Sequence, residues 1–395
     1  MNKNPLVSVF IPYYNDKAFI ADAIEACLKQ TYKNFELFLF NHASTDGSRE
    51  IARLYADTRI HHVDAAENLG AGSGYNLKIT LPKMRGKYVK LLCADDVMKP
   101  DCLEKLVGYL ETHPDKDFVF SDMDYVDENK KDLKTKWSVE KSGVDFDNDE
   151  KRSLKNFFQG KSHLAYPTSL VKRDFLDDVR IDETFVMLFD VSLWVDALCK
   201  GKKIGFISDS TIWYRISPEQ LSSANPIRAK RAAKQGYFEL FALCQRFFDL
   251  KDISYVQYLC NGSKKSMLLK KGDEDLIPFV LAEHYLNAER NPENFVDQWT
   301  VYCVVGFLKM KELLDNPSMA KRIKEKFGYG IAEFRADYSW IDEPPKKTVA
   351  VKNSRNLSLF LLLFLIIRRI WLDFRNIVTL RPLRKRKAKK KQYTV

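Results

Sequence analysis

The stretch YVKLLCADD, residues 88–96, joins an apolar strand to two adjacent carboxylates, Asp95 and Asp96. In an open α/β sheet, ligands bind outside the carboxyl ends of the strands, and a divalent cation on a diphosphate needs carboxylate ligands at that edge. Adjacent aspartates are also common in helix caps and turns, so the pair by itself leaves both interpretations open. The sequence on either side decides between them.

Three strand-and-helix units precede this stretch. Short apolar runs at residues 7–11, 35–40 and 60–63 predict strands, and each is followed by a polar loop and by apolar residues at helical spacing. With the strand at 88–92, the four units predict a mostly parallel, doubly wound α/β sheet with right-handed crossovers. The glycines at 70, 72 and 74 lack the spacing and the ribose-binding acid of a dinucleotide fingerprint, which argues against that kind of site.

Motifs in this half of the chain resemble those of glycosyltransferase family 2. The resemblance rests on the order and spacing of residues 7–16, Gln30-Thr31-Tyr32 with Phe35-Glu36, Ser44-Thr45-Asp46-Gly47-Ser48, Asn68 with Gly70, Asn76, and Gly86-Lys87-Tyr88 leading to Ala94-Asp95-Asp96. A string of motifs in order is strong evidence, whereas any one alone would be weak. The resemblance implies a GT-A (Rossmann-like) fold, a nucleotide-diphosphate sugar donor, a divalent metal ion and inversion at the anomeric carbon.

The resemblance places the nucleotide sugar, a UDP-sugar by expectation, at the ends of the first two strands. Tyr14, after Pro12 and before Asp16, would stack on the nucleobase while the backbone around Pro12 reads the base edge. The second strand often ends in two acids in this family, but here Asn41 and His42 take those places. Both side chains keep hydrogen-bonding capacity, yet the base is left undefined. The remaining predicted contacts with the nucleotide sugar are Asp16, Asn76, Asp95 and Arg215, the last of which is alternatively a surface arginine.

The same resemblance assigns a divalent metal ion, Mn²⁺ or Mg²⁺, to the acid pair. Asp96 is the expected direct ligand, with Asp95 nearer the ribose or a metal-bound water. The family's earlier acid is Cys93 here, and a thiol suits neither of these oxygen-preferring ions, so we assign Cys93 a packing role. A histidine that often follows a Tyr-Arg pair in the family is replaced by Ser217 after Tyr214-Arg215-Ile216. A metal site with few protein ligands is therefore expected.

Asp190 matches the family's general base, the carboxylate that takes the proton of the attacking acceptor hydroxyl. The acid that often precedes it is Phe189 here, and the competing interpretation of Asp190 is a helix N-cap. The segment from Lys161 to Ser169 resembles the acceptor-side loop. Within it, His163 and Tyr166 are the candidate acceptor contacts, although a lone loop histidine is more often a surface residue.

Sequence patterns predict three regions: the GT-A domain at residues 1–225, a helical domain at 226–345 and a tail at 346–395. The helices of the second region are predicted at 228–249, 254–270, 276–288, 294–314 and 318–327. This region would hold an acceptor or a partner, or serve as a plain scaffold. The seven cysteines show no Cys-x-x-Cys spacing, and the first strand follows Met1 too closely for a signal peptide, which predicts a cytoplasmic location.

The basic charge of the chain is concentrated in the tail. The chain carries a net charge of +11, and residues 368–395 alone hold 11 basic side chains and one acidic side chain. Before them, residues 357–367 are apolar except for one serine, too short a run for a membrane span of about 20 residues. An apolar wedge beside a polybasic run predicts an interfacial anchor on an anionic membrane surface, in preference to a packed helix, a true span or a nucleic-acid site.

Together these features predict a membrane-associated inverting glycosyltransferase, peripheral on the inner face of the cell membrane. Its acceptor would be a hydroxyl of a lipid-linked or cell-envelope glycan, such as lipopolysaccharide or capsule. One alternative is a non-catalytic scaffold that binds sugar nucleotides or glycans, suggested by the departures at Asn41, His42, Cys93, Phe189 and Ser217. A nucleotidyltransferase is the other, but the glycine-rich, basic phosphate loop expected of one does not follow the first strand.

Overall fold

A computed structural model describes residues 4–68, 72–137, 147–161, 164–217, 226–287 and 298–337. The chain divides into two compact units, Met1–Met310 and Lys311–Val395. The predicted anchor at 346–395 lies outside the described residues. In none of the described ranges does a helix combine the length and the apolar character that crossing a bilayer requires.

The described strands form a nine-stranded sheet in the first unit. They are β1 (Val7–Tyr13), β2 (Phe35–Asn41), β3 (Ile60–Asp64), β4 (Tyr88–Leu91), β5 (Val97–Met98), β6 (Phe118–Val126), β7 (Asp132–Lys136), β8 (Ser169–Lys172) and β9 (Ile204–Arg215). The order is β3-β2-β1-β4-β8-β6-β9-β5, with β7 on β6. The strands β1 to β4 are parallel, β9 is parallel to β6, and β8 runs antiparallel between β4 and β6. The predicted mostly parallel α/β sheet is confirmed.

Helices cover the sheet and continue beyond it. They are α1 (Ile20–Leu28), α2 (Ser48–Arg53), α3 (Ser73–Thr80), α4 (Cys102–Thr112), α5 (Glu150–Phe158), α6 (Arg173–Asp178), α7 (Phe189–Cys199), α8 (Pro226–Phe247), α9 (Ile253–Leu259), α10 (Lys264–Leu268), α11 (Ile277–Leu286), α12 (Gln298–Asp315), α13 (Pro317–Phe327) and α14 (Ile331–Asp337). Short 3₁₀ turns lie at Leu81–Lys83, Tyr166–Thr168 and Glu274–Leu276. The apolar residues of β1, β2 and β4 pack with those of α1 and α4 in one core. Because these strands are parallel, their carboxyl ends lie at the same edge of the sheet.

The first strand runs further than the sequence predicts. A stop at Pro12 is expected because proline cannot donate to a sheet ladder. In the structure β1 continues to Tyr13, pairing Pro12 with Phe40 of β2. On its other side β1 pairs with β4 only as far as Phe10. Pro12 lies beyond that last pair, so its missing backbone N–H breaks no hydrogen bond to β4. The extension carries the backbone to the edge where Tyr14 begins the loop.

The helices after residue 226 are present, and the predicted helix at 254–270 is wrong in one respect. It is two helices, α9 and α10, because Gly262 between them adopts a left-handed φ of 94°. Phe158 of α5 packs against Phe247 of α8 and Tyr285 of α11, with ring centroids 4.9 and 5.0 Å apart. Helices α8 and α11 therefore pack directly on α5 within the first unit, and a functional boundary at residue 225 stays a prediction.

In the second unit, α13 has a capping residue at each end. Asn316 accepts hydrogen bonds from the backbone N–H groups of Ser318 and Met319, and Gly328 ends the helix with a left-handed φ of 66°. These are common helix-end devices, and they account for the confirmed helix in this part of the sequence.

Glu36 ties the start of β2 to the loop that enters β4. Its carboxylate accepts a hydrogen bond from the Ser8 hydroxyl at 2.7 Å, and the backbone N–H and guanidinium of Arg85 also donate to it. Ser8 in turn accepts from the N–H of Gly86 at 2.9 Å. Burial alone would raise the pKa of Glu36, but these hydrogen bonds outweigh it and lower the pKa.

We expect Glu36→Gln to lower the stability of the protein by about 1–3 kcal/mol, because the amide puts a donor where the wild type needs an acceptor. A folded-state pKa below the unfolded value gives stability that is present above the unfolded pKa and lost as the pH falls through the folded pKa. The loss should therefore be largest at neutral pH, as measured by urea midpoints. The exposed Glu67→Gln serves as the control, and an equal shift in both variants would contradict the prediction.

Candidate active site

Two loops at the carboxyl edge of the sheet are held together by side chains of the segment Ser44–Ser48. The N–H groups of Asn15, Asp16 and Lys17 donate to the side chains of Ser44, Ser48 and Asp46 at 3.1, 3.0 and 2.9 Å. Asn15 itself adopts a left-handed φ of 57° in this turn. The polar segment after β2 thus fixes the loop after β1, which carries the predicted nucleotide-binding residues.

His42 and Tyr14 line the predicted base site, whereas Asn41 is engaged elsewhere. The Asn41 amide donates to Asp64 at 3.0 Å and its oxygen accepts the N–H of Ser44 at 2.9 Å. The ring of Tyr14, 46% exposed, lies 6.4 Å from the His42 ring. Nε2 of His42 is buried without a hydrogen-bond partner among the described residues. Of the two residues that replace the family's acids, His42 therefore has the open hydrogen-bonding atom.

Cys93, Asp95 and Asp96 present ligand atoms within 4.8 Å of one another after β4. Asp96 is fully buried, and its Oδ1 accepts the N–H of Arg215 at 3.1 Å. Its Oδ2 has no hydrogen-bond partner among the described residues. Burial, followed by the charge of Asp95, raises the pKa of Asp96 well above its usual value. A buried, unpartnered carboxylate oxygen beside a second carboxylate fits a divalent cation, which would supply the missing partner.

Cys93 and Ser217 replace two of the metal ligands that are common in the family. Cys93 lies beside Asp95 and Asp96, whereas Ser217 is bound to Glu128. Burial, then the charges of Asp96 and Asp95, raise the pKa of the Cys93 thiol well above its usual value. A protonated thiol is a poor metal ligand, which agrees with a packing role. The Ser217 hydroxyl donates to the carboxylate of Glu128 at 2.9 Å.

Arg215 is hydrogen-bonded to both residues of the acid pair. Its Nε donates to the carbonyl oxygen of Asp95 at 2.9 Å, one Nη donates to the Glu128 carbonyl, and the other pairs with Asp22 at 2.9 Å. The residue is only 1% exposed. These bonds hold the turn that contains Asp95 and Asp96, and the predicted contact of Arg215 with the diphosphate would require the guanidinium to leave them.

Asp190 lies in the first turn of α7, and the residue at the N-cap position is Leu188, so the N-cap interpretation of Asp190 is wrong. The Asp190 carboxylate accepts the N–H of Val191 at 2.8 Å and also a backbone hydrogen bond from Tyr166. Burial raises the pKa of Asp190 to about 6. A carboxylate of this pKa is deprotonated at neutral pH yet more basic than an ordinary aspartate, which suits a general base.

Tyr166 lies close to Asp190, as the predicted acceptor loop requires. Its side chain is buried, its hydroxyl has no hydrogen-bond partner among the described residues, and its ring lies 6.1 Å from that of Phe189. Asn76 in α3 is also buried, with its Oδ1 unpartnered in the same sense. The other predicted acceptor residue, His163, lies outside the described residues.

Electrostatic interactions show that these groups lie close to one another. The charge of Asp190 contributes to the raised pKa of the Cys93 thiol, after burial and the two neighbouring aspartates. Burial raises the pKa of Asp16 to about 7, and the charge of Asp95 contributes to that shift. The structure thus brings Asp16, the acid pair and Asp190 together from three separate parts of the sequence.

Comparison with known proteins identifies this arrangement. Residues 8–180 match the family model for glycosyl transferase family 2. An uncharacterized glycosyltransferase of Methanocaldococcus jannaschii is 30% identical over 216 residues, which cover 54% of this chain and 71% of the relative. The putative teichuronic acid biosynthesis glycosyltransferase TuaG of Bacillus subtilis is 28% identical over 268 residues, 67% of this chain and 99% of TuaG.

Solved structures show the same fold. The crystal structure of S. aureus TarS 1-349 in complex with UDP-GlcNAc aligns with a TM-score of 0.53 at 16% identity, covering 78% of this chain and 88% of that chain. The fold is of the GT-A type, and the chain belongs to glycosyltransferase family 2. The protein is therefore a glycosyltransferase, which confirms the predicted fold and enzyme class and removes the scaffold and nucleotidyltransferase alternatives.

Sequence analysis missed two groups around Asp190. Glu239 of α8 accepts hydrogen bonds from the segment that leads into α7, and no local motif marks a glutamate that is so far along the chain. In the sequence, Gly72 and Gly74 show only a spacing that does not fit a dinucleotide fingerprint. In the structure a Cβ at Gly72 would lie 2.0 Å from the carbonyl oxygen of Phe185, so close backbone packing requires glycine there.

Proposed function

We propose that the protein transfers a sugar from a nucleotide-diphosphate sugar to a hydroxyl of a lipid-linked or cell-envelope glycan, with inversion at the anomeric carbon. One observation carries the proposal: Asp190, with a pKa of about 6, lies close enough to the cluster of Cys93, Asp95 and Asp96 for its charge to act on the Cys93 thiol. An inverting transfer needs this pairing, a base on the acceptor side and a diphosphate-binding site on the donor side.

In the proposed reaction, Asp190 accepts the proton of the acceptor hydroxyl while that oxygen forms a bond to C1 of the donor sugar. The bond from C1 to the diphosphate oxygen breaks on the opposite face, and nucleoside diphosphate leaves with the bonding electrons. Asp190 is the one acid at the start of α7, since Phe189 precedes it, and a single base suffices for this reaction.

Asp96 and Asp95 would hold a divalent cation, Mn²⁺ or Mg²⁺. When bound, such an ion neutralises negative charge on the departing diphosphate. The contribution of the chain is to present two carboxylates on a turn that Arg215 fixes through the Asp95 carbonyl and the Asp96 carboxylate. Oxygen ligands of this kind are the ones that both ions prefer.

Tyr14 and His42 would receive the nucleobase, and Pro12, Asp16, Asn41 and Asn76 would complete the pocket. The exposed ring of Tyr14 is available for stacking, and Nε2 of His42 has no other partner among the described residues. A UDP-sugar is the first donor to test, because the TarS structure contains UDP-GlcNAc. The name of TuaG, which refers to teichuronic acid, supports a cell-envelope acceptor.

Donor turnover tests the proposal directly. The full chain is incubated with Mn²⁺, a panel of UDP- and GDP-sugars and a bacterial lipid extract, and released nucleoside diphosphate is measured. We expect release with one donor that depends on both Mn²⁺ and the extract. NMR of the anomeric proton in the product should show the configuration opposite to that of the donor. Retention of configuration, or no turnover with any donor, would contradict the proposal.

We further propose that residues 346–395 attach the enzyme to the inner face of the cell membrane. The polybasic runs Arg384–Lys387 and Lys389–Lys391 follow an apolar segment in sequence. Each basic side chain near an anionic surface adds about 1 kcal/mol of attraction, and the apolar residues add burial in the interface.

We expect the full chain to sediment with phosphatidylglycerol vesicles and a chain lacking residues 346–395 to remain in the supernatant. Replacing Lys389, Lys390 and Lys391 by glutamine should weaken binding, and added salt should weaken it further, because surface attraction is screened. Vesicles of phosphatidylcholine provide the neutral control. Equal partition of the full and shortened chains would rule out the anchor.

A further inference from the structure

A buried carboxylate from another helix holds the chain just before Asp190. The backbone N–H of Val186 donates to Oε1 of Glu239 at 2.8 Å, and those of Met187 and Leu188 donate to Oε2 at 2.8 and 2.7 Å. Glu239 lies on α8 and is 2% exposed. The first N–H groups of a helix have no partner within it, and the N-cap residue Leu188 offers no side-chain hydrogen bond. Glu239 thus accepts the N–H of the N-cap residue Leu188 and those of the two residues before it, at the point where the chain enters α7.

An ion pair from α8 holds the other end of the segment Asp182–Leu188. Arg246, two turns after Glu239, forms an ion pair with Asp182, and both side chains are largely buried. The stretch from Asp182 to Leu188 is therefore attached to α8 at both ends. A buried ion pair that loses one partner costs several kcal/mol, so these contacts strongly favour one position of the segment.

The opposite side of the segment packs against the start of α3. A Cβ at Gly72 would lie 2.0 Å from the carbonyl oxygen of Phe185, and one at Gly74 would lie 2.1 Å from that of Asp182. A side chain at either glycine would clash with this backbone, so the segment and the start of α3 lie in close backbone contact. The residues leading to Asp190 are thus confined between two glycines and a carboxylate.

We infer that Glu239 is a positioning residue that acts through the backbone of Val186–Leu188 to hold the Asp190 carboxylate in place for proton transfer. The inference rests on the proposed role of Asp190 as the general base. The carboxylate of Glu239 accepts backbone N–H groups, and its charge adds to the burial that raises the pKa of Asp190. A displacement of about 1 Å of a catalytic group can lower a rate by about 100-fold.

The test compares Glu239→Gln with wild type in the full chain under Mn²⁺ and donor. Glutamine keeps the shape but replaces one acceptor oxygen with a donor that faces an N–H group. We expect kcat to fall by about 10- to 100-fold, with KM for the donor changed less than about threefold. Glu36→Gln is the matched control, since Glu36 is also a buried carboxylate that accepts backbone and side-chain donors. That control should lose stability while its kcat at a permissive temperature stays within about threefold of wild type.

A double-mutant comparison separates this inference from the proposed function. If Glu239 acts through Asp190, Glu239→Gln should have almost no effect on kcat in an Asp190→Asn background. An undiminished effect in that background, or a Glu239→Gln variant that loses only stability, would overturn the inference. Failure of Asp190→Asn itself to lower kcat would overturn the proposed base and, with it, this inference.

A second variant covers the case in which Glu239→Gln does not fold. Arg246→Lys keeps the positive charge at the other attachment point of the same segment, opposite Asp182. We expect a smaller fall in kcat, again without a matching change in donor KM. An unchanged kcat in a folded Arg246→Lys variant would then count against positioning by α8.

Discussion

Asp190→Asn is expected to lower kcat by about 10²- to 10⁴-fold, the range typical of a lost general base, with donor KM nearly unchanged. Asparagine keeps an oxygen that can accept the N–H of Val191, as Oδ1 of Asp190 does at 2.8 Å, so the start of α7 should be preserved. What is lost is the ability to take a proton from the acceptor. Steady-state kinetics with the donor identified in the panel would measure the change.

The pH dependence of activity is a second test of the role of Asp190. Burial raises the pKa of Asp190 to about 6, and the base works only when deprotonated. Wild-type kcat/KM, whose pH dependence reports groups of the free enzyme, should therefore be constant above pH 7 and fall as the pH decreases through about 6, and this descending limb should be absent from the residual activity of Asp190→Asn.

The control for both measurements is Asp196→Asn. Asp196 is a buried aspartate of the same helix whose carboxylate accepts the N–H of Arg180 at 2.7 Å and pairs with Lys200. Its substitution should leave kcat within about threefold of wild type. A kcat for Asp190→Asn equal to that of Asp196→Asn would contradict the assignment of the base.

Asp96→Asn is expected to abolish the dependence of turnover on Mn²⁺ and to lower kcat/KM for the donor by about 100-fold or more. The amide oxygen of asparagine can still accept the N–H of Arg215, so the turn after β4 should persist. The amide nitrogen, however, would occupy the place of Oδ2, the unpartnered oxygen that we assign to the cation. Calorimetric titration with Mn²⁺ and with donor measures the loss.

Asp96→Asn should lower activity but should not lower the stability of the protein without Mn²⁺. Burial and Asp95 raise the folded-state pKa of Asp96, and a raised pKa gives stability that is present below the unfolded pKa and lost as the pH rises through the folded pKa. Without Mn²⁺, Asp96→Asn should therefore unfold at the same temperature as wild type or higher, with the difference growing as the pH rises. With Mn²⁺ and donor, only wild type should gain stability.

Cys93→Ala is the matched control for the metal site. It removes the third atom of the cluster but neither carboxylate, and the thiol is protonated at neutral pH because burial and the neighbouring acids raise its pKa. Its Mn²⁺ dependence should resemble that of wild type. A loss as large as that of Asp96→Asn would show that the packing role assigned to Cys93 is wrong.

Features that depend on neighbouring residues in the sequence were predictable, and those that depend on distant partners were not. The strand that ends at Asp95 and Asp96 is readable because its apolar run and its acids are adjacent. The length of β1 beyond Pro12 depends on where its pairing with β4 stops, which the sequence of β1 does not contain. The two-helix form of residues 254–270 has a local signal in Gly262, whose left-handed conformation lies between the two helices.

The same distinction applies to the site. Asp190 was identified through a motif, and its neighbourhood with the acid pair is a product of the fold. The motif predicts a role for Arg215 on the diphosphate, but its partners Asp22 of α1 and Glu128 of the loop after β6 are distant in sequence, and only the fold brings them together. Glu239 had no signal at all, because its partners are backbone N–H groups, which any sequence supplies.

A crystal structure of the full chain with Mn²⁺ and a non-hydrolysable donor, recorded at the manganese edge, tests the central claim most directly. The account predicts an anomalous peak at coordination distance from Asp96 and the nucleobase of the donor stacked against Tyr14. It also predicts that the Asp190 carboxylate lies on the face of C1 opposite the diphosphate. A metal ion bound elsewhere, or an Asp190 carboxylate screened from C1, would contradict it.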